Sequence, residues 1–188
     1  MRLALFGGTF DPIHNAHLAI AQAAADRFQL DRVLFVPAAH PPHKRGATHA
    51  PYEDRVRMAE LACAVDARFE VSRMEDHTAR SYSIDTIEKV RARLATEDEL
   101  YFLIGADAFA EIRTWHRWRE VARAVRFLVV SRPGAHYEAP AEAACSVINE
   151  IDLPVSSSGI RRAIAAGERP TGIPEAVLQY AIEHKLYS

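Results

Sequence analysis

Leu3-Ala-Leu-Phe6-Gly-Gly-Thr-Phe10-Asp-Pro-Ile-His14-Asn-Ala-His17 opens with four apolar residues, breaks at two glycines, and leads into a helical pattern from Ala16 to Phe28. A short apolar strand ended by glycines and followed directly by a helix is the first half of a βα unit. The alternation repeats downstream. Val33-Leu-Phe-Val36 reads as a second strand closed by Pro37, followed by a polar, proline-rich loop from Ala38 to Ala50. Pro51 suits the first turn of a helix, in which Val56, Ala59, Leu61 and Ala62 keep a period of roughly 3.6 residues. Phe69-Glu-Val71 predicts a short strand, and Ser83 an N-cap for a helix running to about Leu94. Leu100-Tyr-Phe-Leu-Ile104 and Val125-Arg-Phe-Leu-Val-Val130 are nearly continuous apolar runs, as in strands buried on both faces of a parallel sheet. Gly134 to Pro140 reads as a loop and Ser146-Val-Ile148 as a last strand, before helices at Ser157–Ala166 and Pro174–Leu186. The order predicts an α/β fold, a doubly wound parallel sheet with helices on both faces and a C-terminal helical extension from about residue 156. With no repeat, low-complexity tract or linker, residues 1–188 are expected to form a single domain.

Composition narrows the function classes. The 23 basic and 25 acidic residues leave a formal charge of −2, which disfavours a protein that tracks nucleic-acid phosphates. At 49% hydrophobic residues the chain has the means to build a core, which excludes wholesale disorder. Cys63 and Cys145 are far apart and form no C-x-x-C pair, so neither a disulfide scaffold nor a cysteine-zinc module is indicated. The apolar run at the N-terminus is too short for a signal peptide, and arginines interrupt every stretch approaching the ~20 apolar residues of a membrane span. A cytoplasmic location without membrane partners is therefore expected, and a homo-oligomer is compatible with the sequence.

In an open α/β sheet, ligands bind beyond the carboxyl ends of the strands. Unusual residues collect there. The first strand runs into Gly7, Gly8, Thr9 and Phe10, where paired glycines admit close approach of backbone to a ligand, and the next helix offers free N–H groups and a positive dipole end. His14 and His17 are three apart, which puts both imidazoles on one helical face. Neither G-x-G-x-x-G nor G-x-x-x-x-G-K-[ST] is present, so phosphates would meet a histidine pair instead. Phosphate oxygens beside imidazoles favour the imidazolium, and both rings can then stabilise charge building on a phosphorus under attack. An isolated H-x-x-H is more often a helix cap plus a packed histidine. His40 and His43 form a second such pair among prolines, but no cysteine or carboxylate completes zinc-ligand spacing, and no protein metal site is expected. Val155-Ser-Ser-Ser-Gly-Ile-Arg161 offers hydroxyls and a guanidinium at a helix start, a pattern that makes either an anion site or a redundant N-cap. Trp115 and Trp118 read as anchors of a helix, and the arginines from Arg113 to Arg126 as its solvated face.

Together these segments resemble one superfamily. Gly7 to His17 is similar to the G-G-T-F-D-P-x-H-x-G-H signature of nucleotidyltransferases, and Val155 to Arg161 to their I-S-S-T-x-I-R segment. Pro41-Pro-His-Lys44, Ser81-Tyr-Ser83, Gly105-Ala-Asp107 followed by Trp115 and Trp118, and the ending from Pro174 to Tyr187 resemble the bacterial nicotinate-nucleotide adenylyltransferases, in the family's order over nearly the whole chain. The resemblance implies a Rossmann-like sheet and transfer of AMP from ATP to nicotinate mononucleotide by direct in-line attack, giving deamido-NAD and pyrophosphate in NAD biosynthesis. It implies that His14 and His17 hold the triphosphate, with His17 stabilising the transition state. Ser156, Ser157 and Arg161 would grip the departing phosphates, and Gly7, Gly8, Thr9 and Phe10 would line the crevice, partly through backbone. Gly105 and Asp107 would contact the adenosine. His43, Lys44, Ser83, Trp115 and His116 would surround the nicotinate nucleotide, with Mg²⁺ riding on the ATP phosphates.

Three positions depart from the pattern: Ala16 for glycine, and Ser83 and Ser158 for threonine. The serines keep a hydroxyl, whereas the Ala16 methyl would crowd a closely approaching nucleotide and weaken ATP binding. Phosphopantetheine and nicotinamide mononucleotide are rival acceptors, and a nucleotide-binding regulator without catalysis is a rival of another class. The Ala38–Ala50 loop has the length of a lid.

Overall fold

The structure is a computed structural model, and residues 1–40, 48–76, 80–131, 138–148 and 154–188 are described. Strands β1 (Arg2–Gly8), β2 (Arg32–Pro37), β3 (Phe69–Val71), β4 (Glu99–Gly105), β5 (Arg126–Val130) and β6 (Cys145–Ile148) form one six-stranded sheet in the order β3-β2-β1-β4-β5-β6. Every pairing in it is parallel. The helices are α1 (Asn15–Phe28), α2 (Tyr52–Cys63), α3 (Ser83–Arg91), α4 (Ala106–Ala110), α5 (Trp118–Ala124), α6 (Ser157–Ala165) and α7 (Glu175–Glu183), with a 3₁₀ turn at Ile112–Thr114.

Strand residues alternate between two apolar cores. Ala4, Phe6, Val33, Phe35, Tyr101, Leu103 and Leu128 face α1, α2, α6 and α7. Leu3, Leu5, Leu100, Phe102, Ile104, Phe127 and Val129 face α3, α4 and α5. Fully buried side chains such as Phe35, Leu103 and Phe127 each contribute roughly 1.5–3 kcal/mol. Right-handed crossovers put α1 and α2 on one face while the chain winds outward from β1 to β3; the return to β4 then brings α3, α4 and α5 onto the other face, and α6 and α7 return to the first. The winding reverses between β1 and β4, whose carboxyl ends part to leave a crevice.

The expected doubly wound fold is present, with several local differences. Val125 lies outside β5 and instead caps α5, its side chain buried in the second core. The helix expected to reach Leu94 stops at Arg91, and its N-cap is Tyr82 rather than Ser83. The last helix ends at Glu183, after which Lys185 and Tyr187 take left-handed backbone conformations with φ of 53° and 69°. The C-terminal helical extension is present as α6 and α7, and its residues Ile160, Ile164, Val177, Leu178 and Ala181 complete the core beneath α1 and α2. The loop read as a lid includes residues 41–47, and the loop at 134–140 includes 134–137; both stretches lie outside the described residues.

A charged residue is fully enclosed in this framework. Arg55 of α2 is fully buried, and its guanidinium donates to the carbonyls of Thr9 (2.7 Å), Ala38 (2.8 Å) and Ala50 (3.3 Å). It thereby joins the exits of β1 and β2 to the start of α2. Replacing it with methionine, Arg55→Met, leaves those carbonyls without their donor and is expected to destabilise the fold by about 3 kcal/mol or more, read from urea unfolding. A loss below about 0.5 kcal/mol would show that the carbonyls are satisfied in another way.

Candidate active site at the sheet crevice

A cavity of about 210 Å³ opens between the ends of β1 and β4, walled by Gly7, Gly8, Gly105, Ser83, Trp115 and His116 among others. Gly8 is required by a neighbour: a Cβ there would lie 2.8 Å from the Phe10 ring. At Gly105 a Cβ would meet nothing within 4 Å, so the missing side chain leaves space open to the cavity. Trp115 packs edge-on to Phe102 (5.9 Å), and His116 stacks on Tyr82 at 4.4 Å, which braces the outer wall.

Beside the cavity, the chain turns from β1 into α1. His14 is the N-cap of α1, and its backbone N–H donates to His17 Nδ1 at 3.2 Å. The two rings stack with centroids 3.7 Å apart. A nitrogen that accepts a hydrogen bond carries no proton, so neutral His17 bears its hydrogen on Nε2. Phe10 meets the His17 ring edge-on at 5.1 Å and Phe6 approaches it at 6.0 Å. Burial pulls the pKa of His14 down to about 4. Burial, reinforced by the neighbouring His14, pulls that of His17 down to about 3. Without phosphate charge beside them both imidazoles are therefore neutral at pH 7; the imidazolium pair was expected only with phosphate oxygens alongside. The apolar surroundings and the ring stack disfavour charge until an anion is present.

Asp11 organises the turn. Its carboxylate is buried and accepts from the backbone N–H groups of His49 (2.8 Å) and Ala50 (3.1 Å) and from the Tyr187 hydroxyl (2.8 Å). Burial pushes its pKa up, but these hydrogen bonds and the Arg161 charge outweigh that and hold it below the ordinary value. α6 docks on the same turn. Arg161 donates to the Asp11 carbonyl at 2.6 Å, the Ser157 hydroxyl donates to the Pro12 carbonyl at 3.0 Å, and Ser156 caps α6 by accepting from Gly159 N–H.

The crevice thus gathers Gly7, Gly8, Gly105, Ser83, Trp115 and His116, and the adjoining turn gathers Thr9, His14, His17, Ser156, Ser157 and Arg161. Phe10 is 2% exposed, so its ring is core and only its backbone can serve a ligand. Asp107 lies in the first turn of α4, exposed and outside the cavity wall. His43 and Lys44 lie outside the described residues. Ala16 is buried and does not line the cavity, so its methyl group does not crowd that space. Asp11, Arg55, Glu75 and Tyr187 were missed by sequence reasoning. Arg55 had a signal, because it falls on the buried stripe of α2 with Ala59 and Ala62, where a charge needs partners.

Comparison with known proteins follows the same lines. The cytidylyltransferase-like family model matches residues 5–163. A probable nicotinate-nucleotide adenylyltransferase of Solibacter usitatus is 72% identical over all of both chains. One from Thermus thermophilus is 44% identical, again covering both chains fully. In fold, the nicotinic acid mononucleotide adenylyltransferase of Plasmodium falciparum complexed with NaAD superposes with a TM-score of 0.81 at 18% identity, covering 99% of this chain and 97% of its own. The chain belongs to the cytidylyltransferase-like family and, within it, to the nicotinate-nucleotide adenylyltransferases.

Proposed function

We propose that this protein transfers AMP from ATP to nicotinate mononucleotide, forming deamido-NAD and pyrophosphate, the adenylylation step of NAD biosynthesis. The observation that carries the reading is a single crevice with a histidine pair and two helix starts on one side and an aromatic-walled cavity on the other, in a chain 72% identical to a named relative. The reading places the protein in the cytoplasm; among the described residues no helix is long and apolar enough to cross a membrane.

In this reading an oxygen of the mononucleotide phosphate attacks the ATP α-phosphorus. The new P–O bond forms as the bond to the β-phosphate oxygen breaks, and the electron pair leaves on pyrophosphate. The nucleophile is already ionised, so no side chain needs to take a proton, and the protein's task is positioning and charge stabilisation. His17 donates from Nε2–H to an α-phosphate oxygen, and His14 lies against the same chain of phosphates. Arg161, with Ser156, Ser157 and the free N–H groups of α6, receives the β- and γ-phosphates. Backbone at Gly7, Gly8, Thr9 and Phe10 lies along the nucleotide. Gly105 and Asp107 take the adenosine; Ser83, Trp115 and His116 take the pyridine nucleotide, joined by His43 and Lys44 from the loop. Mg²⁺ fits this site as an ion carried by ATP, because the buried carboxylate of the turn, Asp11, has both oxygens occupied by protein donors. Bound there it would neutralise phosphate charge. EDTA in excess is expected to stop turnover, and added Mg²⁺ to restore it.

Pyrophosphate release measured with nicotinate mononucleotide, nicotinamide mononucleotide and phosphopantetheine tests the reaction. Release is expected to be strongest with the first; stronger release with either of the others overturns the acceptor assignment. His17→Ala should lower turnover by about a hundredfold or more while the fold persists. Near-normal turnover would remove His17 from the mechanism.

The lowered histidine pKa values also set a pH dependence of stability. Unfolded histidines titrate near 6.5, while the folded pair resists protons down to about 4 and 3. Between these limits the unfolded chain binds more protons, so the neutral pair's contribution is complete above pH 6.5 and is lost as pH falls towards 3. Relative to His17→Asn, wild-type Tm should decline as pH is lowered from neutrality into that range. A gap that stays constant would show that His17 is not held neutral by the fold.

A further inference from the structure

The C-terminal segment is bonded repeatedly to the turn between β1 and α1. The Ser157 hydroxyl donates to the Pro12 carbonyl at 3.0 Å, Arg161 to the Asp11 carbonyl at 2.6 Å, and Asn15 N–H to the Gly172 carbonyl at 2.8 Å. Tyr187 adds a bond from the chain end itself, its hydroxyl donating to Asp11 Oδ1 at 2.8 Å. Chain ends usually fray. This one is folded back, with Leu186 N–H on the Ala181 carbonyl at 2.8 Å and with Leu186 and Tyr187 packed against the first core. Lys185 and Tyr187 take left-handed backbone there, which is unfavourable for residues with a Cβ.

Packing alone does not explain the tyrosine, because a phenylalanine would fill the same space. Its hydroxyl is set against the carboxylate of Asp11, which is 2% exposed and also accepts from the His49 and Ala50 N–H groups. Asp11 is thus pinned by residues 49 and 50 before α2 and by residue 187 after α7. The carbonyl of the same residue receives Arg161, so the aim of that guanidinium follows from how Asp11 is held. We propose that Tyr187 is a positioning residue which, acting through Asp11, fixes the aim of Arg161 at the departing phosphates. The proposal rests on the assignment of Arg161 to those phosphates.

A double-mutant cycle on steady-state pyrophosphate release tests it. Tyr187→Phe keeps the ring and removes the hydroxyl. It should lower kcat about tenfold, with KM for nicotinate mononucleotide changed by no more than about twofold. Arg161→Met should lower kcat about a hundredfold. Because the hydroxyl acts through the guanidinium, the double variant should match Arg161→Met alone to within about twofold. A merely structural role would multiply the two losses to about a thousandfold, and that result overturns the proposal. A wild-type kcat in Tyr187→Phe overturns it as well. If Tyr187→Phe is slow while Arg161→Met turns over normally, the assignment of Arg161 to the phosphates fails, and the proposal falls with it. Where Tyr187→Phe alone does not fold, the cycle is run on Lys185→Gly, because glycine takes that left-handed position without a Cβ.

Discussion

The buried guanidinium of Arg55 is the contact on which the rest of the site depends. A strand that ends in paired glycines and then turns through Phe10, at a φ of 48°, leaves carbonyl groups pointing inward with no ladder to receive them. Arg55 donates to the carbonyl of Thr9 in that turn and also to those of Ala38 after β2 and Ala50 before α2, and a planar fork of donors can do this where an ammonium could not. Asp11 supplies the complementary arrangement. Its carboxylate takes the N–H groups of residues 49 and 50 and the hydroxyl of Tyr187, while its carbonyl takes Arg161. Two strand exits, the start of α2, the start of α6 and the end of the chain are therefore all referenced to one turn. Burial lowers the Arg55 pKa, and the nearby Asp11 carboxylate works against that, so the pair share a desolvation cost that neither would sustain alone.

In the proposed reaction this rigidity has a chemical purpose. Stabilising charge on an attacked phosphorus calls for donors already aimed before the reaction. The His14 N–H sets the tautomer of His17, Phe6 and Phe10 fix its ring, and the apolar packing keeps it neutral. In the proposed reaction a neutral N–H donor avoids the cost of burying a cation, and it still strengthens its hydrogen bond as negative charge grows on the phosphate. On the other side of the crevice, Thr86 donates to the buried carboxylate of Glu75, and the Ser81 hydroxyl accepts from His40 N–H.

Much of this was readable in the sequence, for definite reasons. Continuous apolar runs at Leu100–Ile104 and near Phe127 can only be strands covered on both faces, and the glycine pair, the spaced histidines and Ser156–Arg161 mark strand ends and a helix start by local chemistry. What stayed hidden was set by long-range partners. Arg55 looked like one more polar residue among the acidic and basic neighbours of α2, although it lies on the buried stripe. Tyr187 meets Asp11 across most of the chain, and no local pattern reports such a contact. Ser157, read as a phosphate ligand, spends its hydroxyl on Pro12, and Phe10 lies in the core; both serve the turn before they serve a nucleotide.

The direct test of the account is the protonation state of the His17 ring in the free protein at pH 7, observed by long-range ¹H–¹⁵N NMR correlation. A turn that presents a preset neutral donor predicts an unprotonated Nδ1 and a hydrogen on Nε2. An imidazolium, or a ring carrying its hydrogen on Nδ1, would contradict it.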